Sequence, residues 1–172
     1  GIARTFQNIR LFSELTVLDN VKIAYDSHAK YSLVESVLCL GRYFKEEDEI
    51  TKKSLELLKI FKLEDKAYEV AKNLPYGAQR RLEIARALAT KPKLLLLDEP
   101  MENLDVYNEK LIQRILSDLN NKVTVIIIGH RLQTLKNADE LIYLQQGKLV
   151  DSEKIKDKIN YFNEIIEGER SI

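Results

Sequence analysis

The sequence of 172 residues has one cysteine, Cys39, so it can form neither an internal disulfide nor a cysteine-based zinc site. That scarcity fits a reducing compartment. It has no surplus of either charge, since 27 Lys plus Arg balance 27 Asp plus Glu. The balance argues against a nucleic-acid binder acting through bulk positive charge, while a local basic patch stays open. Long apolar runs are also absent. Stretches such as 94–97 and 123–128 fall far short of the roughly 20 residues that cross a bilayer. No charged, then apolar, then small-residue signal segment opens the chain. There is no starting Met, and Gly1 reads as the middle of a domain. Glycine is scarce too. None of the six, at 1, 41, 77, 129, 147 and 168, leads within reach to Gly-Lys-Ser/Thr. The phosphate-wrapping pattern G-x-x-x-x-G-K-[ST] is therefore missing. Gly147-Lys148 is followed by Leu149 and sits in an expected hairpin.

What is present reads as an α/β chain. Residues 1–6 alternate weakly and are expected to end a strand. Thr16 is a candidate N-cap for a helix over 17–25, with Asp19 in its first turn. Gly41 interrupts a helix-like stretch. Ile50, Leu55, Leu57, Leu58 and Phe61 fall at helical spacing between charges, which predicts an amphipathic helix over 47–61. Pro75 and Gly77 mark a turn or helix entry, where Pro fixes φ and Gly frees the backbone. Residues 78–89 read as a helix. Residues 94–97 and 123–128 read as buried strands. A helix is expected over 105–120 and a short one over 131–136. A hairpin is expected at 140–144 and 148–151, and a charged closing helix over 152–167. The alternation of strand and helix in the second half implies a largely parallel sheet with helices on its faces. Residues 14–90 are expected to form a helical subdomain beside it.

In such a sheet, ligands bind beyond the carboxyl ends of the strands. Asp98 and Glu99 end the run "KPKLLLLDEP" at such a place. Neighbours on a strand point to opposite sides. One carboxylate is then free to hold a hard magnesium ion and the other to act on a water. The same run is equally compatible with an acid that caps the next helix. Taken alone, Gln7 reads as a surface polar residue and His130 as a cap for the next turn. Arg80, Arg81 and Arg86 read as a solvated helix face. His28 falls in a polar loop, and Cys39 reads as a small core residue.

Several stretches together resemble a known family. "NLPYGAQRRLEIARALATKPKLLLLDEP" resembles the signature helix and Walker B region of ABC transporter ATPases. "RTFQN" resembles their Q-loop, "NLD" at 103–105 their D-loop, and "GHRL" at 129–132 their switch histidine. The motifs lie in the family's order across about residues 1–151. The resemblance implies a P-loop NTPase-like fold, in which residues 1–172 are the C-terminal part of one ATPase domain and the N-terminal strands are missing. Residues 14–90 would carry the signature helix in the helical subdomain. Residues 91–151 would hold the Walker B, D-loop and switch-histidine part of the sheet core, and 152–172 a closing helix. Its implied cofactors are ATP and Mg²⁺. Asp98 would bind magnesium through water, Glu99 would be the general base, and His130 would contact the γ-phosphate. Gln7 would reach the magnesium and the attacking water and signal to the membrane subunit. Asp105 would couple two sites across a dimer. Pro75, Tyr76, Gly77, Ala78 and Gln79 would sit against the γ-phosphate of ATP held by the opposite subunit, where a helix N-terminus favours anions.

The sequence departs from the family pattern in places. Pro75, Tyr76 and Gly77 stand where the family has Ser and two Gly, and Ala78 stands for Gln. Pro75 lacks both a hydroxyl and an N–H, which leaves recognition to the Gly77 and Ala78 backbone. "RTFQNIRLF" and "LPYGAQRRLEIARAL" resemble the ATPases of branched-chain amino acid importers, apart from Ala78. "NLDVYNEKLIQRIL", "TVIIIGHRLQTLKNAD" and "QQGKLVD" are more similar to exporter ATPase domains. The resemblance implies a subunit that hydrolyses ATP to energise a transporter, with branched-chain amino acid uptake as its leading reading. It would lie peripherally on the cytoplasmic face of the membrane. Its partners would be a second ATP-binding subunit, identical or not, and transmembrane permease subunits, with no nucleic acid. The alternatives are an exporter-type ATPase, a non-catalytic dimerising or docking fragment, and a soluble relative in DNA repair or translation. The 172 residues alone are expected to bind ATP poorly, hydrolyse none and leave apolar surface uncovered.

Overall fold

The computed structural model describes residues 1–26, 41–119, 122–129 and 138–154. Three strands form a parallel sheet: β1 (Ile2–Arg4), β2 (Leu94–Asp98) and β3 (Thr124–Ile128), in that spatial order. Ile2 lies opposite Leu94, and Leu94 opposite Thr124. Four helices accompany it: α1 (Val17–Asp26), α2 (Gly41–Ile60), α3 (Tyr76–Ala89) and α4 (Val106–Asp118). Single 3₁₀ turns at Glu64–Lys66 and Ala71–Asn73 join α2 to α3. All of this belongs to one compact unit, Gly1–Ile128. The second unit, Gly129–Ile172, holds an antiparallel hairpin of β4 (Glu140–Gln145) and β5 (Lys148–Lys154). Its two-residue turn places Gln146 and Gly147 at φ 49° and 75°, the mirror-image turn that matches strand twist.

The α/β expectation with a parallel sheet holds, and the strand pleat explains where the core sits. One face of the sheet presents Ala3, Leu95, Leu97, Val125 and Ile127 to a cluster that includes Leu82, Ile84, Ala85, Ile112 and Leu116. Leu95 and Leu97 are fully buried, each worth about 1.5–3 kcal/mol relative to an exposed leucine. The other face is open among the described residues: Ile2, Ile126 and Ile128 are 76%, 46% and 47% exposed. This corrects the expectation that 94–97 and 123–128 are buried throughout. Apolar character alone does not say which face is covered, and Leu94 and Leu96 are only half-buried.

The helices follow local rules. Thr16 caps α1, its Oγ1 accepting from the Asp19 N–H at 3.0 Å and donating to Asp19 Oδ2 at 2.6 Å. The fully buried Asn20 accepts from the Phe12 N–H at 2.9 Å and donates to the Phe12 and Thr16 carbonyls at 3.0 and 2.9 Å. It thereby ties the segment after β1 to α1. Helix α2 begins at Gly41 among the described residues, so the stretch in which Gly41 was expected to interrupt a helix lies partly outside them. Residues 152–154 extend β5 instead of opening the expected closing helix, since they pair with 140–142. The short helix expected at 131–136 and the rest of the closing helix lie outside the described residues, as do His28, Cys39 and His130.

Candidate functional site

Strand β2 ends at the two carboxylates, but the pleat does not set both directions. Asp98 is the last paired residue, opposite Ile128. It lies on the open face in register with Arg4 and Ile126, one pleat period further on. Glu99 has already left the strand, with φ 45°. The expectation that strand alternation sends the two carboxylates to opposite sides is therefore corrected: a left-handed kink aims Glu99. Such a backbone costs a non-glycine residue of order 1–3 kcal/mol and persists only where its surroundings enforce it. Here the Glu99 N–H donates to the Ile128 carbonyl at 2.9 Å, and the Glu99 carbonyl accepts from the Glu102 N–H at 3.1 Å.

The Asp98 carboxylate meets Arg4, Nη2 to Oδ2 at 3.3 Å, with side chains 26% and 50% exposed. An ion pair this wet contributes about 0–1 kcal/mol and exchanges readily. Gln7 follows β1 and donates from Nε2 to Glu102 Oε2 at 3.2 Å. Arg4 and Arg10 flank the Phe6 ring, 5.1 and 4.3 Å from its centre. Gln7, Asp98, Glu99 and Glu102 thus belong to one end of the parallel sheet.

Packed against them is Arg80, expected from the sequence on a solvated helix face. Arg80 is 1% exposed. Its guanidinium makes five hydrogen bonds. Nη2 donates to the Asp98 carbonyl at 2.6 Å and the Glu99 carbonyl at 2.9 Å. Nε donates to the Pro100 carbonyl at 3.2 Å. Nη1 donates to the Phe6 carbonyl and to Glu83 Oε2, both at 2.6 Å. Glu83, also buried, accepts from the Arg10 N–H through Oε1 at 3.3 Å. Arg81 is buried as well, donating to the Phe61 and Lys62 carbonyls at 2.5 and 3.0 Å. Burial lowers the Arg81 pKa from its ordinary value, against the pull of Tyr107, Asp105 and Asp65. Arg86 is half-buried, bonded to the Arg10 carbonyl and stacked over the Phe12 ring at 5.2 Å. The expectation of a solvated face fails because Arg80 and Arg81 are buried and all three guanidinium groups donate to backbone carbonyls, with Arg81 Nε left without a partner. The signal was available: opposite charges three apart, Arg80 and Glu83, inside a helix with apolar residues on every side.

The start of α3 gathers Pro75, Tyr76, Gly77, Ala78 and Gln79. Pro75 is the N-cap and offers no side-chain bond. Its carbonyl accepts from the Ala78 and Gln79 N–H groups at 2.9 and 3.0 Å, and Gln79 Nε2 turns back to the Leu74 carbonyl at 2.8 Å. Gly77 sits within the helix, so its role is not the backbone freedom expected of it. A Cβ there would stand 2.4 Å from Asn108 Nδ2 and 2.6 Å from its Cγ. Asn108 is held in turn by Asp105, the N-cap of α4, whose Oδ1 accepts from the Asn108 N–H at 2.9 Å and whose Oδ2 accepts from Asn108 Nδ2. Those two bonds hold the Asp105 carboxyl below its usual range. Gly77→Ala is expected to cost about 1–3 kcal/mol through this overpacking. Urea unfolding of the full-length protein measures it, and adding Asn108→Ala should restore most of the loss.

Oxygen donors at the strand end, the Asp98 carboxylate and the Gln7 amide, suit a magnesium ion that keeps several waters and shares phosphate oxygens. Among the described residues no three His, Cys, Asp or Glu side chains group as a metal cage. No helix of the described residues is long and apolar enough to cross a membrane.

A family profile described as ABC transporter matches residues 1–102, and the chain belongs to that family of ATP-binding cassettes. LivG of Escherichia coli (strain K12), a high-affinity branched-chain amino acid transport ATP-binding protein, is 34% identical over 146 residues, covering 84% of this chain and 57% of LivG. BraF of Pseudomonas aeruginosa, with the same described role, is 32% identical over 150 residues, covering 86% and 59%. Among solved structures, the dimeric ATP-binding cassette MJ0796, in a post-hydrolysis state bound to ADP and Pi, superposes with a TM-score of 0.74 at 30% identity. That alignment covers 90% of this chain and 63% of MJ0796. The chain spans between half and two thirds of the length of these relatives.

Proposed function

We propose that the full-length protein is an ATP-hydrolysing subunit that energises an ABC transporter, and that branched-chain amino acids are what the transporter takes up. The observation that carries the ATPase part is the end of the parallel sheet, where Asp98 and the kinked Glu99 close β2 and Gln7, from the segment after β1, bonds Glu102 in the turn that follows. Asp98 would hold magnesium with the nucleotide phosphates, and Gln7 would reach the same ion. The ion supplies charge neutralisation at the phosphates when bound. Glu99 would take the proton of the attacking water, its carboxyl aimed by the enforced left-handed backbone. His130 would contact the γ-phosphate. The N-terminal end of α3, Pro75 to Gln79, would face the nucleotide of a second ATP-binding subunit, and Asp105, at the cap of α4, would connect the two sites.

The importer reading rests on relatives whose similarity runs past Pro100. A probable LivG of Archaeoglobus fulgidus is 33% identical over 162 residues. That stretch reaches into the half whose motifs resemble exporters, so it favours import for the whole chain. A peripheral position on the cytoplasmic membrane face, docked to permease subunits, follows from this reading.

The test is uptake in proteoliposomes holding the full-length protein and its permease. Leucine, isoleucine or valine should accumulate only with magnesium-ATP inside the reach of this subunit. Hydrolysis without stimulation by any of the three would sink the substrate assignment and leave the ATPase standing.

A further inference from the structure

We propose that the buried Arg80–Glu83 pair is a positioning unit that locks the segment carrying Gln7 and the turn carrying Asp98 and Glu99 into one body moving with helix α3. The inference rests on the ATPase reading for its consequence, since it names what aligns the groups of that site. Neither residue touches the site itself. Arg80 acts through the Asp98 and Glu99 carbonyls and through that of Phe6, next to Gln7, and Glu83 acts through Arg80 and the Arg10 N–H.

Three chain segments, far apart in sequence, meet at this one guanidinium. From β2 and its turn come the Asp98, Glu99 and Pro100 carbonyls. From the segment after β1 comes the Phe6 carbonyl, immediately before Gln7. Helix α3 supplies Arg80 itself and Glu83, which fixes the guanidinium and also takes the Arg10 N–H. The planar fork is suited to this. It presents five donors in fixed directions, where an ammonium presents a compact point charge. The bond to the Glu99 carbonyl also falls on the residue with φ 45°, and a strained backbone needs such enforcement. Arg80 lies one helical turn from Gly77, so a shift at the start of α3 reaches Asp98, Glu99 and Phe6 together through a single rigid side chain. Packed and fully bonded at 1% exposure, it has no slack to absorb that shift.

The test compares the full-length wild type with Arg80→Lys and Glu83→Gln. Arg80→Lys keeps the charge opposite Glu83 but cannot serve all these carbonyls at once. Hydrogen exchange by mass spectrometry reads residues 5–12, 98–104 and 82–89 separately. Loss of the lock should speed exchange about tenfold or more in 5–12 and 98–104 together, with 82–89 still protected. In the same variant kcat for ATP should fall about tenfold to a hundredfold, with KM little changed, as misplacement of reacting groups does. Glu83→Gln should give the same pattern more weakly. Faster exchange throughout 82–89 would mean that Arg80 only stabilises the helix, and would overturn the proposal. A change confined to one of the two segments, or none in either, would overturn it as well. The exchange result needs no turnover. A wild type without ATPase activity, whose Arg80→Lys variant still loses protection in both segments, would refute the ATPase reading and leave the mechanical coupling intact.

Discussion

Glu99→Gln in the full-length protein is expected to lower phosphate release from magnesium-ATP by about 10²–10⁴-fold while leaving ATP binding nearly unchanged. The size follows from what a positioned general base contributes. Gln is close to Glu in shape, and the kink that aims residue 99 is held by backbone bonds to Ile128, Glu102 and Arg80 that an amide side chain does not disturb. The variant removes proton acceptance and little else. Steady-state release of phosphate beside equilibrium nucleotide binding separates the two quantities. A fall of only a few-fold would mean that Glu99 is an ordinary turn carboxylate, the bland reading that "LLLLDE" allowed on its own.

Arg80→Met is expected to destabilise the full-length protein by about 3–5 kcal/mol, because it leaves Glu83 charged and unpaired in a dry place. The Glu83 side chain is 3% exposed and meets Arg80 at 2.6 Å. Replacing Glu83 as well, as Arg80→Met with Glu83→Leu, should recover part of the loss, since no stranded charge remains. Recovery should stay incomplete. The carbonyls of Phe6, Asp98, Glu99 and Pro100 each lose a donor, at about 1–3 kcal/mol for any left dry. Equilibrium urea unfolding measures all three proteins. A single-variant loss under about 1 kcal/mol, the range of a wet surface pair, would contradict the buried-clamp description.

The outline of the fold was legible because its signals are local. Thr16 and Asp19 announce α1, the leucines of 94–97 announce β2, and the turn at Gln146-Gly147 announces the hairpin. Periodicity and caps act over a few residues, so one sequence suffices to read them. The site was legible only as a set of separate motifs. Its geometry depends on bonds between segments about 20 to 95 residues apart, such as Arg80 with Pro100 and Gln7 with Glu102. Arg80 looked solvated because composition does not say that carbonyls from two distant segments and the Glu83 carboxylate will surround it. Glu99 looked like a strand residue because "LLLLDEP" gives no sign of where pairing stops. Gly77 reads from the sequence as backbone freedom at a turn or helix entry because the neighbour that forbids a side chain, Asn108, lies on another helix. The face left open among the described residues was likewise hidden, since Ile126 and Ile128 are as apolar as any core residue.

The central claim is that the end of β2 meets a metal carried by nucleotide phosphates, with Asp98 as a ligand through water. Electron paramagnetic resonance of Mn²⁺, standing in for Mg²⁺, tests this most directly on the full-length protein. The account predicts a bound Mn²⁺ signal that requires ATP and weakens markedly in Asp98→Asn. Mn²⁺ that binds without regard to ATP, or an ATP-dependent signal indifferent to Asp98→Asn, would contradict it.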